Sequence, residues 1–369
     1  MGKSRTAYVF PGANTAVGYH SFFLSGLSGL DNIFILKGGP GCGKSTLMRR
    51  INRMMTEKGL ETEVWQCSSD MDSLDGVLIP RLSAAVIDGT PPHVVEPSYP
   101  GAVEELVDLG QCWRAAELKR QRARIMELSR QSRGKYRQCR EYLAQASRLL
   151  RDGAQPGGLT DGPAAAIPDM AMGTAPDAAY REQDPSFAHL SGRVFGRHSP
   201  VCRHLFAASV TPQGWVSFLE PLSGRAGRRL ILTGPFGQGK EELMRRLAAE
   251  AGSRRLYAEA YHHPLALEAL QMLWLPDLDT AVLALEEAPP GREGDEIIPC
   301  GRTEDEESAR EQRQEIRRLT ALAGEQVAQA KALHDELEAC YAPAMDYSLV
   351  EEAGARLLAR LLALPLLEA

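Results

Sequence analysis

The residues best suited to chemistry are Gly38-Gly39-Pro40-Gly41-Cys42-Gly43-Lys44-Ser45-Thr46. They read G-x-x-x-x-G-K-S. The glycines let the backbone curl so that its N–H groups point inward at phosphate oxygens. A helix beginning at Ser45 adds its partial positive charge, Lys44 can reach the outer phosphates, and the Ser45 hydroxyl can ligate Mg²⁺. A metal so placed needs a second carboxylate at the end of an apolar strand. Asp88, which closes Ala84-Ala85-Val86-Ile87, fits that role, and it also opens the ordinary turn dipeptide Asp88-Gly89. Asp70 is the third acid of interest. It can activate a water or an acceptor hydroxyl, and with Ser68 and Ser69 it also suits the N-cap of a following helix, the reading preferred here. His93, in Pro91-Pro92-His93, reads as a structural or idle histidine on a surface loop, with contact to nucleotide the less favoured alternative.

The elements that must position these groups are legible around them. Ile33-Phe34-Ile35-Leu36 is a short apolar strand feeding the glycine loop, and the helix after it runs to about Lys58. Thr62 to Cys67 predicts a second strand, and Leu82 to Ile87 a third. Strands alternating with helices predict a parallel sheet covered on both faces, with ligands at the carboxyl ends of the strands. That rule places the loop, Asp70 and Asp88 along one edge. From Arg114 to Asp152 the pattern becomes long amphipathic helix, with Gly134 suggesting a break into a hairpin.

Shifted by 196 positions, the chain lies on itself. Phe10 meets Phe206, Ser21-Phe22 meets Ser217-Phe218, and Leu47-Met48-Arg49-Arg50 meets Leu243-Met244-Arg245-Arg246. Gly38, Gly41, Gly43 and Lys44 fall on Gly234, Gly237, Gly239 and Lys240. The match persists to Ala85-Val86 on Ala281-Val282 without a gap. The chain is therefore a duplicated phosphate-loop domain. The expected organisation is a first domain over 1–152, a Gly/Pro/Ala-rich linker over 153–195 and a second domain over 196–369. The second copy looks worn. Glu241 stands where the metal-binding hydroxyl belongs, and Ala284 stands where Asp88 has its equivalent. Both metal-side groups are missing, so the second loop (Gly234, Gly237, Gly239, Lys240) is expected to be structural or regulatory.

With 369 residues, 44% hydrophobic and 24% charged, the chain has the composition of a soluble two-domain protein. Seven scattered cysteines without a C-x-x-C pair predict reduced thiols rather than a disulfide frame or zinc site, hence a cytoplasmic protein. No segment suits a membrane span. The net charge of −6 argues against a nucleic-acid binder but hides an asymmetry. Residues 113–152 hold twelve Lys and Arg against four Asp and Glu, whereas 303–340 hold five against ten. The two helical elements are thus expected to pair, within one chain as a pseudo-dimer or between chains of a homo-oligomer.

The loop and its flanks resemble the P-loop NTPase superfamily. More narrowly, Val64 to Asp70, Ser73 to Val77, Val86 to His93 and Arg203-His204-Leu205-Phe206 resemble a bacterial family of tandem P-loop proteins, common in Firmicutes, that carries generic ATPase labels. The resemblance implies an ATP-binding protein in which two α/β P-loop domains, each with an appended helical hairpin, follow one another. It gives no physiological substrate. The second loop departs from the family pattern, where Gly-Lys-Ser or Gly-Lys-Thr can close it.

The expected activity is Mg²⁺-dependent ATP hydrolysis with Lys44, Asp88 and Asp70 as catalytic residues and Ser45 and Asp88 at the metal. ATP is preferred over GTP because the Asn-Lys-x-Asp guanine signature is absent. Two alternatives stand beside it. A small-molecule or nucleotide kinase would shape an acceptor pocket from Ser73-Leu74-Asp75-Gly76 and the 91–101 loop. A nucleotide-gated module would use the basic helix to hold a protein or nucleic-acid partner, nucleic acid being the weaker choice.

Overall fold

The computed structural model describes residues 6–152, 202–289, 291–300 and 306–367; the linker expected at 153–195 lies outside them. The first half runs β1 (Thr6–Val9), β2 (Gly12–Thr15), β3 (Gly18–Ser21), α1 (Phe23–Leu27), β4 (Asn32–Lys37), α2 (Lys44–Glu57), β5 (Thr62–Gln66), β6 (Leu74–Ile79), β7 (Ala84–Asp88), β8 (Glu104–Asp108), α3 (Ala115–Arg120) and α4 (Arg122–Asp152). The second runs β9 (Cys202–Phe206), β10 (Ala208–Thr211), β11 (Gly214–Ser217), α5 (Leu219–Ser223), β12 (Arg228–Thr233), α6 (Lys240–Ser253), β13 (Ala258–His263), β14 (Ala266–Leu275), β15 (Thr280–Leu285), β16 (Glu296–Pro299), α7 (Glu306–Tyr341) and α8 (Tyr347–Ala363).

The duplication read from the sequence is carried by the topology. The first six-stranded sheet has the order β1-β5-β6-β7-β4-β8, and the second repeats it as β9-β13-β14-β15-β12-β16. Strand β4 and helix α2 match β12 and α6 at the same 196-residue offset. The fold is thus α/β with two mixed sheets flanked by helices and a pair of long helices.

Each sheet departs from an all-parallel one at a single strand. β6 pairs antiparallel with both β5 and β7, while β1–β5, β7–β4 and β4–β8 are parallel. Leu74-Asp75-Gly76, expected in sequence only as part of an acceptor pocket, lies in a strand, and all six residues of β6 are buried. Tertiary cover overrides the weak strand propensity of Asp and Gly. This strand also removes the helix expected after Ser68-Ser69-Asp70. A hairpin turn stands there, in which Asp70 accepts from Asp72 N–H and Ser73 Oγ at 2.9 Å each. Asp70 therefore caps no helix.

The break predicted at Gly134 is absent: the first predicted hairpin is the short α3 followed by one long helix, and the second is one long helix. α4 continues through Gly134 for 31 residues, and α7 for 36. One internal glycine costs about 1 kcal/mol. That is little against a seam burying Leu128, Cys139 and Leu143 on one face of α4.

The chain forms two compact units that are not contiguous in sequence. The first comprises Met1–Ala144, Ala208–Phe218 and Leu319–Ala369; the second comprises Gln145–Ala207 and Leu219–Arg318. The C-terminal segment, placed with the second repeat by sequence, packs with the first loop's unit. The reason is apolar: Leu357, Leu358 and Leu361 of α8 are buried in one cluster with Leu47, Met48, Ile51 and Met55 of α2 and with Val64, Val77 and Val86 of the sheet. In the same unit Arg124 of α4 pairs with Glu336 of α7, and Gln121 Nε2 donates to Cys340 O at 3.1 Å. In the second unit, Gln312 of α7 donates to Leu149 O of α4 at 2.5 Å. All seven cysteines are free, and no helix among the described residues is long and apolar enough to cross a membrane.

Candidate functional site

The first unit holds a cavity of about 1990 Å³ lined by the glycine loop, the β5–β6 turn, the 88–96 loop and faces of α4 and α7. Its floor is set by β4, whose buried Phe34, Ile35 and Leu36 anchor the strand below the loop. Gly41 and Gly43 take φ of 68° and 88°, the left-handed region that side chains disfavour, and Gly43 is the N-cap of α2. Gly39 is required for a different reason. A Cβ there would lie 2.8 Å from the Tyr341 ring and 3.1 Å from Trp113.

Lys44, Asp88 and Ser45 converge at the first turn of α2. Lys44 Nζ donates to Gly38 O at 2.8 Å and Gly39 O at 3.0 Å, and lies 3.5 Å from Asp88 Oδ2. The parallel register that sets Leu36 beside Asp88 brings them together. Asp88 divides its oxygens. Oδ1 accepts from Thr90 N–H and Thr90 Oγ1, closing the turn, and Oδ2 faces Lys44. The turn reading of Asp88 therefore holds for Oδ1, while Oδ2 is directed at Lys44. Ser45 Oγ accepts from Leu74 N–H at 3.1 Å, which leaves its proton and a lone pair available. Pro40 and Thr46 also line the cavity. Cys42 is buried with Leu109, Cys112, Met345 and Val350, and burial pushes its thiol up. Asp70 lines the same cavity but faces Lys331 of α7 at 3.8 Å, separate from the Lys44–Asp88 pair.

Several groups here escaped sequence reasoning. Glu338 of α7 accepts from Gly41 N–H at 3.2 Å, and Tyr347 donates to Gly41 O at 3.1 Å. A hydrogen bond from His334 holds the Glu338 carboxyl below its usual range. The available signal was that α8 has no counterpart in the first repeat, so the tail was free to serve the other unit. Lys37, ending β4, donates to Gly89 O at 2.9 Å, Val95 O at 2.8 Å and Glu96 at 2.5 Å. That clamp folds the 89–96 segment inward. His93 is consequently buried, contrary to its reading as a surface residue.

His93 Nε2 lies 3.2 Å from Asp75 Oδ1, with both side chains about 5% exposed (5% and 4%). Burial raises Asp75 to about 8, helped by the charge of Asp88, and lowers His93 to about 4. At neutral pH both partners are uncharged, because desolvation outweighs their mutual attraction. Asp75 was visible only as part of a possible acceptor pocket, since nothing in the sequence announces β6.

The second loop keeps its shape, with Gly237 and Gly239 at positive φ, but a side chain of its own turn occupies it. Glu241 accepts from Gly237 N–H at 3.1 Å and pairs with Lys240 at 2.8 Å. β12 and β15 pair without slippage, so Ala284 sits beside Leu232 as Asp88 sits beside Leu36. Glu286 and Glu287, two and three residues beyond Ala284, are therefore not brought to that position by a register shift.

A scan against protein-family models, a search of curated proteins and a search of solved structures each found no match.

Proposed function

We propose that the first unit binds ATP with Mg²⁺ and hydrolyses it, and that the second loop is structural or regulatory. The observation that carries this reading is the convergence of Lys44, Ser45 and Asp88 at the N-terminus of α2, below a glycine loop whose Gly41 N–H already holds a carboxylate. Backbone N–H groups at a helix start, a lysine and a hydroxyl beside a strand-ending acid match the needs of a phosphate–metal site.

The residues present fit magnesium. Among the described residues no group of three or more His, Cys, Asp or Glu gathers as a metal cage. Magnesium prefers one or two protein ligands plus phosphates and water. Ser45 and Asp88 would hold it, and when bound it would neutralise charge on the outer phosphates. The chain's own groups then do the positioning. Lys44 exchanges loop carbonyls for phosphate oxygens, Gly41 N–H exchanges Glu338 for phosphate, and the buried floor of β4 keeps the loop fixed. ATP is preferred because the guanine signature is missing.

The test is phosphate release from ATP and Mg²⁺ by the wild type, Lys44→Ala and Lys240→Ala. Activity lost only in Lys44→Ala is the expected result. Turnover surviving in Lys44→Ala, or failure of the wild type to bind ATP, overturns the reading.

A further inference from the structure

Three buried polar atoms near the loop have no hydrogen-bond partner among the described residues: Asp75 Oδ2, His93 Nδ1 and the Tyr19 hydroxyl. All three residues line the cavity. An unsatisfied buried polar atom costs about 1–3 kcal/mol, so three in one place call for a ligand or an ordered water. Their position is set by the sheet. Gly76 pairs with Ile87 in the β6–β7 ladder, which puts Asp75 at the strand end where β7 delivers Asp88. The space around His93 is small, for its ring packs 4.5 Å from Phe23 and 6.1 Å from Tyr19.

We propose that His93, oriented by Asp75, is the general base of the first site: its unpaired Nδ1 binds the attacking water and takes its proton. This rests on the hydrolytic reading above and extends it by naming the base. Nε2 faces Asp75 Oδ1, so an Nε2–H directed at Asp75 leaves a lone pair on Nδ1. The water oxygen bonds to the γ-phosphorus as the bond from that phosphorus to the β–γ bridging oxygen breaks. ADP leaves with the electron pair. The water's proton passes to Nδ1 and then to solvent, giving ADP, phosphate and one proton in sum. Around the pair stand Lys44, Asp88, Asp70, Cys67 and Tyr19, from α2, β7, the β5–β6 turn and β3.

The experiment compares wild type, His93→Gln, His93→Ala and Asp75→Asn. ATP binding is measured by calorimetry, together with phosphate release and the affinity for ADP–aluminium fluoride, a mimic that includes the attacking water. General-base loss predicts ATP affinity within about twofold and turnover down about 10²-fold or more. It also predicts weaker binding of the aluminium fluoride complex and partial rescue of His93→Ala by added imidazole. Turnover within threefold of wild type in His93→Gln overturns the proposal. So does equal loss of ATP binding in all variants, which marks the pair as structural. A wild type that neither binds nor hydrolyses ATP instead removes the hydrolytic reading itself.

Discussion

The backbone N–H of Gly237 donates to Glu241 Oε2 at 3.1 Å, while the other oxygen of that carboxylate lies 2.8 Å from Lys240 Nζ. At the equivalent loop position of the first repeat, Gly41 N–H donates to Glu338 at 3.2 Å. Both loops thus hold a carboxylate on the N–H of the equivalent glycine. In one it comes from the residue after the loop lysine; in the other it comes from a helix nearly 300 residues away. The first is tethered by the backbone beside the loop, and the second is carried by a separate helix.

Removing the tethered carboxylate leaves Lys240 buried without its charge partner. Glu241→Ala is expected to lower the stability of the second unit by about 1–3 kcal/mol. It also uncovers the loop N–H groups. Pyrophosphate should then raise the melting temperature of Glu241→Ala and leave wild type unchanged, as read by calorimetry. Equal stabilisation of both proteins would show that the wild-type loop is already open to anions.

Removing the Glu338 carboxylate has the opposite sign. Under the proposed function, Glu338→Gln takes away a negative charge that competes for Gly41 N–H. A gain of about 1 kcal/mol corresponds to roughly fivefold tighter nucleotide binding. Titration of a fluorescent ATP analogue measures it, and unchanged or weaker binding would show that Glu338 does not compete.

The tail should be indispensable to the first unit. Leu361 is fully buried against α2 and the sheet. Leu361→Ala is expected to cost about 2–5 kcal/mol. Denaturant unfolding read at Trp65, also fully buried in this unit, reports it. A midpoint equal to wild type would contradict the packing.

The buried Asp75 gives stability a specific pH signature. Its folded pKa, about 8, lies above its ordinary value, so its contribution is present at low pH and lost as pH rises through 8. His93, lowered to about 4, acts in the reverse sense between about 4 and 6.5, where the two offset each other. Between pH 6.5 and 8 only Asp75 differs, and the metal-free wild type should lose up to about 1.4 kcal/mol per pH unit. Asp75→Asn should not show this slope in urea unfolding across that range. Parallel slopes in the two proteins would exclude Asp75 as the source.

The sequence by itself determined what is local or repeated. Gly41, Gly43 and Lys44 are dictated by short-range backbone chemistry, and the constant 196-residue offset predicts the repeated strand order because equal sequences meet equal steric rules. Asp88 was legible because an acid ending an apolar strand has one place to go in a parallel sheet. Tertiary structure alone decided the rest. β6 became a strand because its neighbours bury it, not because Asp75-Gly76 favours extension. His93 turned inward because Lys37 holds three acceptors across the 89–96 segment. Tyr341, Glu338 and α8 reached the first loop because apolar burial with α2 stabilises that placement, and such long-range contacts leave no mark on local spacing.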